Sequence, residues 1–155
     1  MYQRILVPTD GSELAAQAAD AAIAFAQVCR SEIVALSVAP PEPVMLSAEG
    51  AIASSPPGVD VLLEQASRHA GKVSEAAAKA GVNSRALTAY GYSPADEIVA
   101  AAEREHCDLI FIASHGRRGL SRLLAGSVTQ RVLAYSPVPV MVYRARRASP
   151  RQAPI

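Results

Sequence analysis

The sequence predicts an open α/β domain, a parallel sheet covered by helices on both faces. Three observations carry that expectation. Short apolar runs alternate with segments of helical spacing. The runs are continuously apolar, as strands buried on both faces require. Turns marked by Gly, Ser and Pro separate them. The 155 residues are half hydrophobic and 19% charged, which suits one globular domain with a sizeable core. Aromatic residues make up 5% and Trp is absent, so Ala, Val, Ile and Leu must fill that core.

The first apolar run, Ile5-Leu6-Val7, is stopped by Pro8-Thr9-Asp10-Gly11-Ser12. Ser12 suits the N-cap of the next helix, which extends to about Arg30 with Leu14, Ala15, Ala18, Ala22, Ile23 and Ala26 at helical spacing. Residues 32–38 form a second strand. Over 39–60 the pattern collapses, and five of the 11 prolines fall there: Pro40, Pro41, Pro43, Pro56 and Pro57. A stretch this long inside a domain reads as a mobile loop or an ordered lid. A helix over 61–80 follows, with Gly81 as its stop, then a strand over 85–90. Ser93-Pro94-Ala95-Asp96 has the form of a capping box with Pro at the first helical position, and its helix reaches about His106. Leu109 to Ala113 is a fourth strand. A glycine-marked segment, a helix over 127–135 and a fifth strand over 138–143 complete the pattern. Strands alternating with helices imply a parallel sheet with right-handed crossovers.

The net charge is +1, which gives no electrostatic case for nucleic acid or an anionic membrane. The charge is unevenly placed. Residues 144–155 carry Arg144, Arg146, Arg147 and Arg151 and no acid, leaving 11 basic against 14 acidic side chains elsewhere. The division expected is a domain over 1–144, including the long loop over 39–60, and a basic, disordered tail over 145–155. Cys29 and Cys107 belong to no CxxC or Cys/His cluster and read as buried or half-buried thiols in a reducing compartment. The N-terminus lacks the apolar region of a signal peptide, and no apolar run reaches membrane-spanning length. A cytoplasmic location is expected.

In an open parallel sheet, ligands lie beyond the C-terminal ends of the strands, where the strand order reverses. Three segments fall there: Thr9-Asp10-Gly11-Ser12, Val38-Ala39-Pro40 and Ala113-Ser114-His115-Gly116. The last leads through a basic loop with Arg117, Arg118 and Arg122 to Gly126-Ser127-Val128-Thr129. Gly116 and Gly126 permit close backbone approach or positive φ. The first turn of the helix at Ser127 presents N–H groups suited to an anion, and the arginines add positive charge. Each feature also has a plainer explanation. Asp10 serves equally as a turn residue, Gly126-Ser127 as a helix start, the arginines as a solvated loop, and His115 as a turn residue without a role. His69 reads as structural or surface, and His106 as a favourable charge at a helix C-terminus.

The glycine-marked segment resembles the nucleotide motif of the universal stress protein family, whose ATP-binding members carry Gly, two residues, Gly, nine residues, Gly, then Ser or Thr. The matching positions here are Ala113, Gly116, Gly126 and Ser127, with Ala113 in place of the first glycine. The resemblance extends over residues 2–144. It includes the opening Ile5-Leu6-Val7-Pro8-Thr9-Asp10-Gly11-Ser12, Gly91-Tyr92-Ser93-Pro94-Ala95, Cys107-Asp108-Leu109-Ile110 and Pro137-Val138-Pro139-Val140-Met141-Val142. It implies a five-stranded parallel sheet in the order 3-2-1-4-5, of the adenine nucleotide α-hydrolase-like kind, and ATP as ligand. By that resemblance Asp10 lies near the ribose or adenine end, and backbone groups of Val38 meet the adenine edge. Gly116, Gly126, Ser127 and Val128 surround the phosphates, and Mg²⁺ or Mn²⁺ shares their charge. The nucleotide-binding candidates are Pro8, Thr9, Asp10, Val38, Ala113, His115, Gly116, Arg117, Arg118, Gly126, Ser127, Val128 and Thr129. No catalytic or metal-ligating residue is assigned. The family commonly dimerises through its last strand, so a homodimer through 138–143 is expected.

Other nucleotide folds leave signatures that are missing here. No Lys precedes Ser127, as a Walker loop demands, and no Gly-x-Gly-x-x-Gly follows the first strand. That strand also lacks the glycine-rich phosphate loop of the related pyrophosphatase-type synthetases. No placed base, carboxylate pair or Ser-His-Asp arrangement is evident. Three functions stay open: an ATP-binding regulatory or stress-response protein, a nucleotide-free interaction module of the same fold, and a nucleotide-consuming enzyme. The first is the expectation, with at most very slow ATP hydrolysis.

Overall fold

The computed structural model describes residues 1–41, 58–116 and 125–145. Most of the 39–60 loop, Arg117, Arg118, Arg122 and residues 146–155 lie outside the described residues. The elements are β1 (Arg4–Pro8), α1 (Glu13–Cys29), β2 (Glu32–Ala39), α2 (Val59–Lys79), β3 (Ser84–Tyr90), α3 (Pro94–Arg104), β4 (Leu109–Ala113), α4 (Ser127–Tyr135) and β5 (Val140–Tyr143). All strand pairs are parallel and the order is β3-β2-β1-β4-β5. The chain builds outward from β1 to β3, then crosses back to add β4 and β5 on the other side. The order therefore reverses between β1 and β4.

The central strands sort their side chains by pleat. Ile5 and Val7 join a core with Ala19, Ala22, Ala26, Ala70 and Val73 of α1 and α2. Leu6 faces the opposite core, with Ile98, Ala101 and Ala102 of α3 and Val132 of α4. Both faces of the sheet are thus covered, α1 and α2 on one and α3 and α4 on the other. Ile5, Leu6, Ile33, Leu36 and Ile110 are wholly buried, and truncating any of them to Ala is worth about 2–5 kcal/mol. At the edge the pattern changes. β3 alternates, with Ala86, Thr88 and Tyr90 exposed, so it is not buried on both faces.

The helix ends follow local chemistry. The Ser12 hydroxyl accepts the Ala15 N–H at 3.3 Å, and the Ser93 hydroxyl accepts the Asp96 N–H at 3.3 Å. Gly81 takes φ +73°, while the Val82 N–H reaches the Ala77 carbonyl at 2.9 Å; this is the left-handed stop expected of glycine. His106 takes the same position after α3, with φ +52° and the Cys107 N–H bonded to the Ala102 carbonyl at 2.8 Å. Its place is therefore that of a helix-ending residue, beyond the helix rather than in its last turn.

Three boundaries differ from expectation by two residues. α2 begins at Val59, two residues early, because Gly58 takes the N-cap and Asp60 stands in the favourable first turn. α3 ends at Arg104, ahead of the left-handed His106. β5 begins at Val140 because Val138 is tied into a turn: its N–H reaches the Ser136 hydroxyl at 3.2 Å, and that hydroxyl donates to the Val138 carbonyl at 2.6 Å. Pro139 brings no N–H to the ladder.

Candidate functional site

β2 is longer than its neighbour β1. The pairing ends at Pro8 opposite Leu36, whereas β2 continues beside β3 to Ala39 opposite Tyr90. The Leu36 carbonyl accepts the Thr9 N–H at 2.8 Å, so the backbone groups of Leu36 face β1. In a strand the direction repeats every second residue. The N–H and C=O of Val38 therefore face the same side, where β1 has already ended. They border a cleft of about 570 Å³ over the C-terminal ends of β2, β1 and β4.

The turn after β1 forms the middle of this cleft. Thr9 is buried, and its hydroxyl accepts the Gly11 N–H at 3.2 Å. Asp10 Oδ1 accepts the Ser12 N–H at 3.0 Å, which leads the chain into the α1 cap. Gly11 has φ +77°, and a Cβ there would collide with the imidazole of His69. The turn needs glycine on both counts.

The segment after β4 forms the far wall. The Gly126 N–H donates to the Ser114 carbonyl at 2.7 Å, pinching the two ends of the basic loop together. The Thr129 hydroxyl is buried and donates to the Ala113 carbonyl at 2.8 Å. Its side chain thus anchors α4 to β4, leaving only its backbone N–H for a ligand. Gly126 is the α4 N-cap without a side-chain bond, and the Gln130 N–H closes the first turn on the Gly126 carbonyl at 2.9 Å. The N–H groups of Ser127, Val128 and Thr129 head the helix ahead of that bond, and its dipole favours an anion there. His115 Nδ1 is 3.2 Å from the Ser114 hydroxyl. Gly126 has φ −62°, and positive φ is confined among the described glycines to Gly11 and Gly81. Of the two roles open to Gly116 and Gly126, close approach and positive φ, close approach is the one found.

All candidate residues within the described part line this one cleft: Pro8, Thr9, Asp10, Val38, Ala113, His115, Gly116, Gly126, Ser127, Val128 and Thr129. Arg117 and Arg118 lie outside the described residues. Sequence reasoning missed the third wall, made by Leu62, Gln65, Ala66 and His69 of α2, and the rim at Tyr92 and Pro94. His69 is half-buried, packs on Gly11 and lines the cleft, a position its place in the helix did not reveal. The signal was present, because these four α2 residues stand at i, i+3, i+4 and i+7 on one helix face. Beside the rim, Arg131 Nε lies 2.9 Å from Asp96 Oδ1. That hydrogen bond, with a second from Ser93, holds the Asp96 carboxyl below its usual range. The Asp96 carboxylate thus turns outward to Arg131.

Among the described residues no group of three His, Cys, Asp or Glu is placed to hold a metal ion. No described helix is long and apolar enough to cross a membrane. The arrangement joins an unpaired strand edge at one end to an anion-attracting helix head at the other.

Comparison with known proteins fits this geometry. Universal stress protein MJ0531 of Methanocaldococcus jannaschii is 36% identical over 145 residues, spanning 93% of this chain and 83% of that one. Among solved structures, that of hypothetical protein MJ0577 superposes with a TM-score of 0.76 at 28% identity, covering 96% of this chain and 99% of that one. Two more distant structures share the fold. One is a universal stress protein in complex with cAMP, at 22% identity, TM-score 0.64 and coverage of 92% and 97%. The other is the Archaeoglobus fulgidus universal stress protein in complex with dAMP, at 17% identity, TM-score 0.66 and coverage of 91% and 97%. The sequence profile of the universal stress protein family matches residues 1–144, and the chain belongs to that family.

Proposed function

We propose that the protein binds ATP with Mg²⁺ or Mn²⁺ in this cleft and holds it as the ligand of a stress-response regulator. The observation that carries the reading is the cleft itself. One space of about 570 Å³ runs from the free edge of Val38 to the head of α4, within the ~300–1,000 Å³ of small-molecule sites. The adenine edge offers a donor and an acceptor side by side, which the Val38 C=O and N–H complement. The triphosphate suits the N–H groups of Ser127, Val128 and Thr129. The fold carries cAMP in one relative and dAMP in another, ligands of the same adenine class.

The cation's fit follows from the donors present. Asp10 is the acid among the described cleft-lining residues and lies toward the ribose, whereas a hard cation takes about six oxygen ligands. Phosphate oxygens and water must supply them, so the ion comes with the nucleotide. When bound, it neutralises phosphate charge that the backbone donors offset only in part. We also place the protein in the cytoplasm, where its free thiols Cys29 and Cys107 would stay reduced.

The test is native mass spectrometry of protein purified without added nucleotide, followed by titration with ATP and Mg²⁺. A bound mass of an adenine nucleotide, or stoichiometric uptake of ATP, is expected. Failure to take up ATP at millimolar concentration overturns the reading.

A further inference from the structure

The geometry points to His69 as the residue that joins Asp10 in reading the ribose hydroxyls of the bound nucleotide. This inference rests on the nucleotide reading above. With adenine at the Val38 edge of β2 and phosphates at the head of α4 beside β4, the ribose must pass between them. Neighbouring strands are about 4.8 Å apart, and the strand between β2 and β4 is β1. The ribose therefore lies over the turn that follows β1, where Asp10 and Gly11 stand.

His69 reaches that turn from the other side. It is half-buried on α2, lines the cleft, and packs on Gly11 so closely that the Nε2 edge of its ring takes the space of a Cβ. The absence of a side chain at Gly11 is what lets the imidazole settle onto the turn that carries Asp10. The chemistry of the two groups is complementary. A carboxylate accepts only, whereas a neutral imidazole offers one donor and one acceptor. His69 can keep a protein partner on one nitrogen and meet a hydroxyl with the other. Two vicinal hydroxyls, each both donor and acceptor, match that pair better than they match a lone carboxylate.

The test is calorimetry with ATP, 2′-deoxy-ATP and 3′-deoxy-ATP, each with Mg²⁺, on the wild type, His69→Phe and His69→Gln. The wild type is expected to favour ATP over each analogue by about tenfold, the worth of one hydrogen bond. His69→Phe keeps a flat ring of similar size but no nitrogen, and is expected to erase one of the two preferences and leave the other. His69→Gln, which again has a donor and an acceptor, is expected to recover part of it. Ratios unchanged in His69→Phe, or the same loss for all three nucleotides, would overturn the inference while ATP binding stands. Failure of the wild type to bind any of the three overturns the nucleotide reading and this inference with it.

Discussion

The carboxylate Oδ2 of Asp10 stands where a side chain on Gly116 would have to be. The turn after β1 and the segment after β4 are therefore in contact, and Gly116 is small because of Asp10 as well as any ligand. Gly116→Ala is expected to push the carboxylate aside and weaken ATP binding about tenfold, a loss near 1.4 kcal/mol. Neighbours that collide are not additive. The double variant Gly116→Ala with Asp10→Ala is expected to bind no worse than Asp10→Ala alone. A double variant whose losses simply add, by calorimetry, would separate the two residues.

β5 lies at the edge of the sheet, and Val140 to Tyr143 pair with β4 on one side only. An uncovered apolar edge invites another strand. A homodimer through 138–143 is expected, with pairing concentrated at Val140 to Tyr143, where the backbone groups of Val140 and Val142 face away from β4 because the Pro139 and Tyr143 carbonyls face it. Light scattering at micromolar concentration is expected to give twice the chain mass, and Val142→Pro to halve it. A monomeric wild type would refute the edge pairing.

Cys107 is buried, and burial pushes its thiol up to about 11. In the unfolded chain a thiol ionises near 8.5. Between those values the unfolded state has lost a proton that the folded state keeps, so stability falls as pH rises. The stabilising difference is fully present below about pH 8.5 and is lost through pH 11, on the order of 3 kcal/mol in all. Urea denaturation at pH 7, 9 and 10.5 is expected to show a steeper alkaline decline in the wild type than in Cys107→Ala. Parallel declines would place the loss in other groups.

ATP turnover is expected to be slower than about 1 per minute, against a typical ~10 s⁻¹. Backbone donors at a helix head hold phosphate charge in the ground state as firmly as in the transition state, and uniform binding of that kind does not raise the chemical rate. Asp10, the acid among the described cleft residues, is assigned to the ribose. A steady-state assay with Mg²⁺ decides the point. Turnover above about 1 s⁻¹ that disappears in His115→Ala would make the protein an enzyme, at a rate in the ordinary range.

Much of this was legible in the sequence because its signals are local. β4 and α4 begin and end where the apolar run Leu109 to Ala113 and the Gly126-Ser127 start place them. Gly81 ends α2 as a left-handed glycine does, and Ser12 and Ser93 cap as their side chains allow. What escaped was tertiary. Nothing near His69 in the chain says that it will pack on Gly11, 58 positions away. His106 carries no sequence mark of a left-handed residue, since its neighbours impose that conformation after α3. The motif glycines were legible as a pattern, but the reason for Gly116 is the side chain of Asp10, on another loop.

Adding a Cβ to Gly126 would bring it within 3.2 Å of the His115 Cα and 3.3 Å of the His115 Cβ. Backbone cannot swing aside as a side chain can, so Gly126→Val must shift the head of α4, where the account places the phosphates. Calorimetric titration of the wild type and Gly126→Val with ATP and Mg²⁺ tests the central claim most directly. The account predicts saturable 1:1 binding by the wild type and none by Gly126→Val, with both folded by circular dichroism. Equal affinity in the two proteins would contradict it.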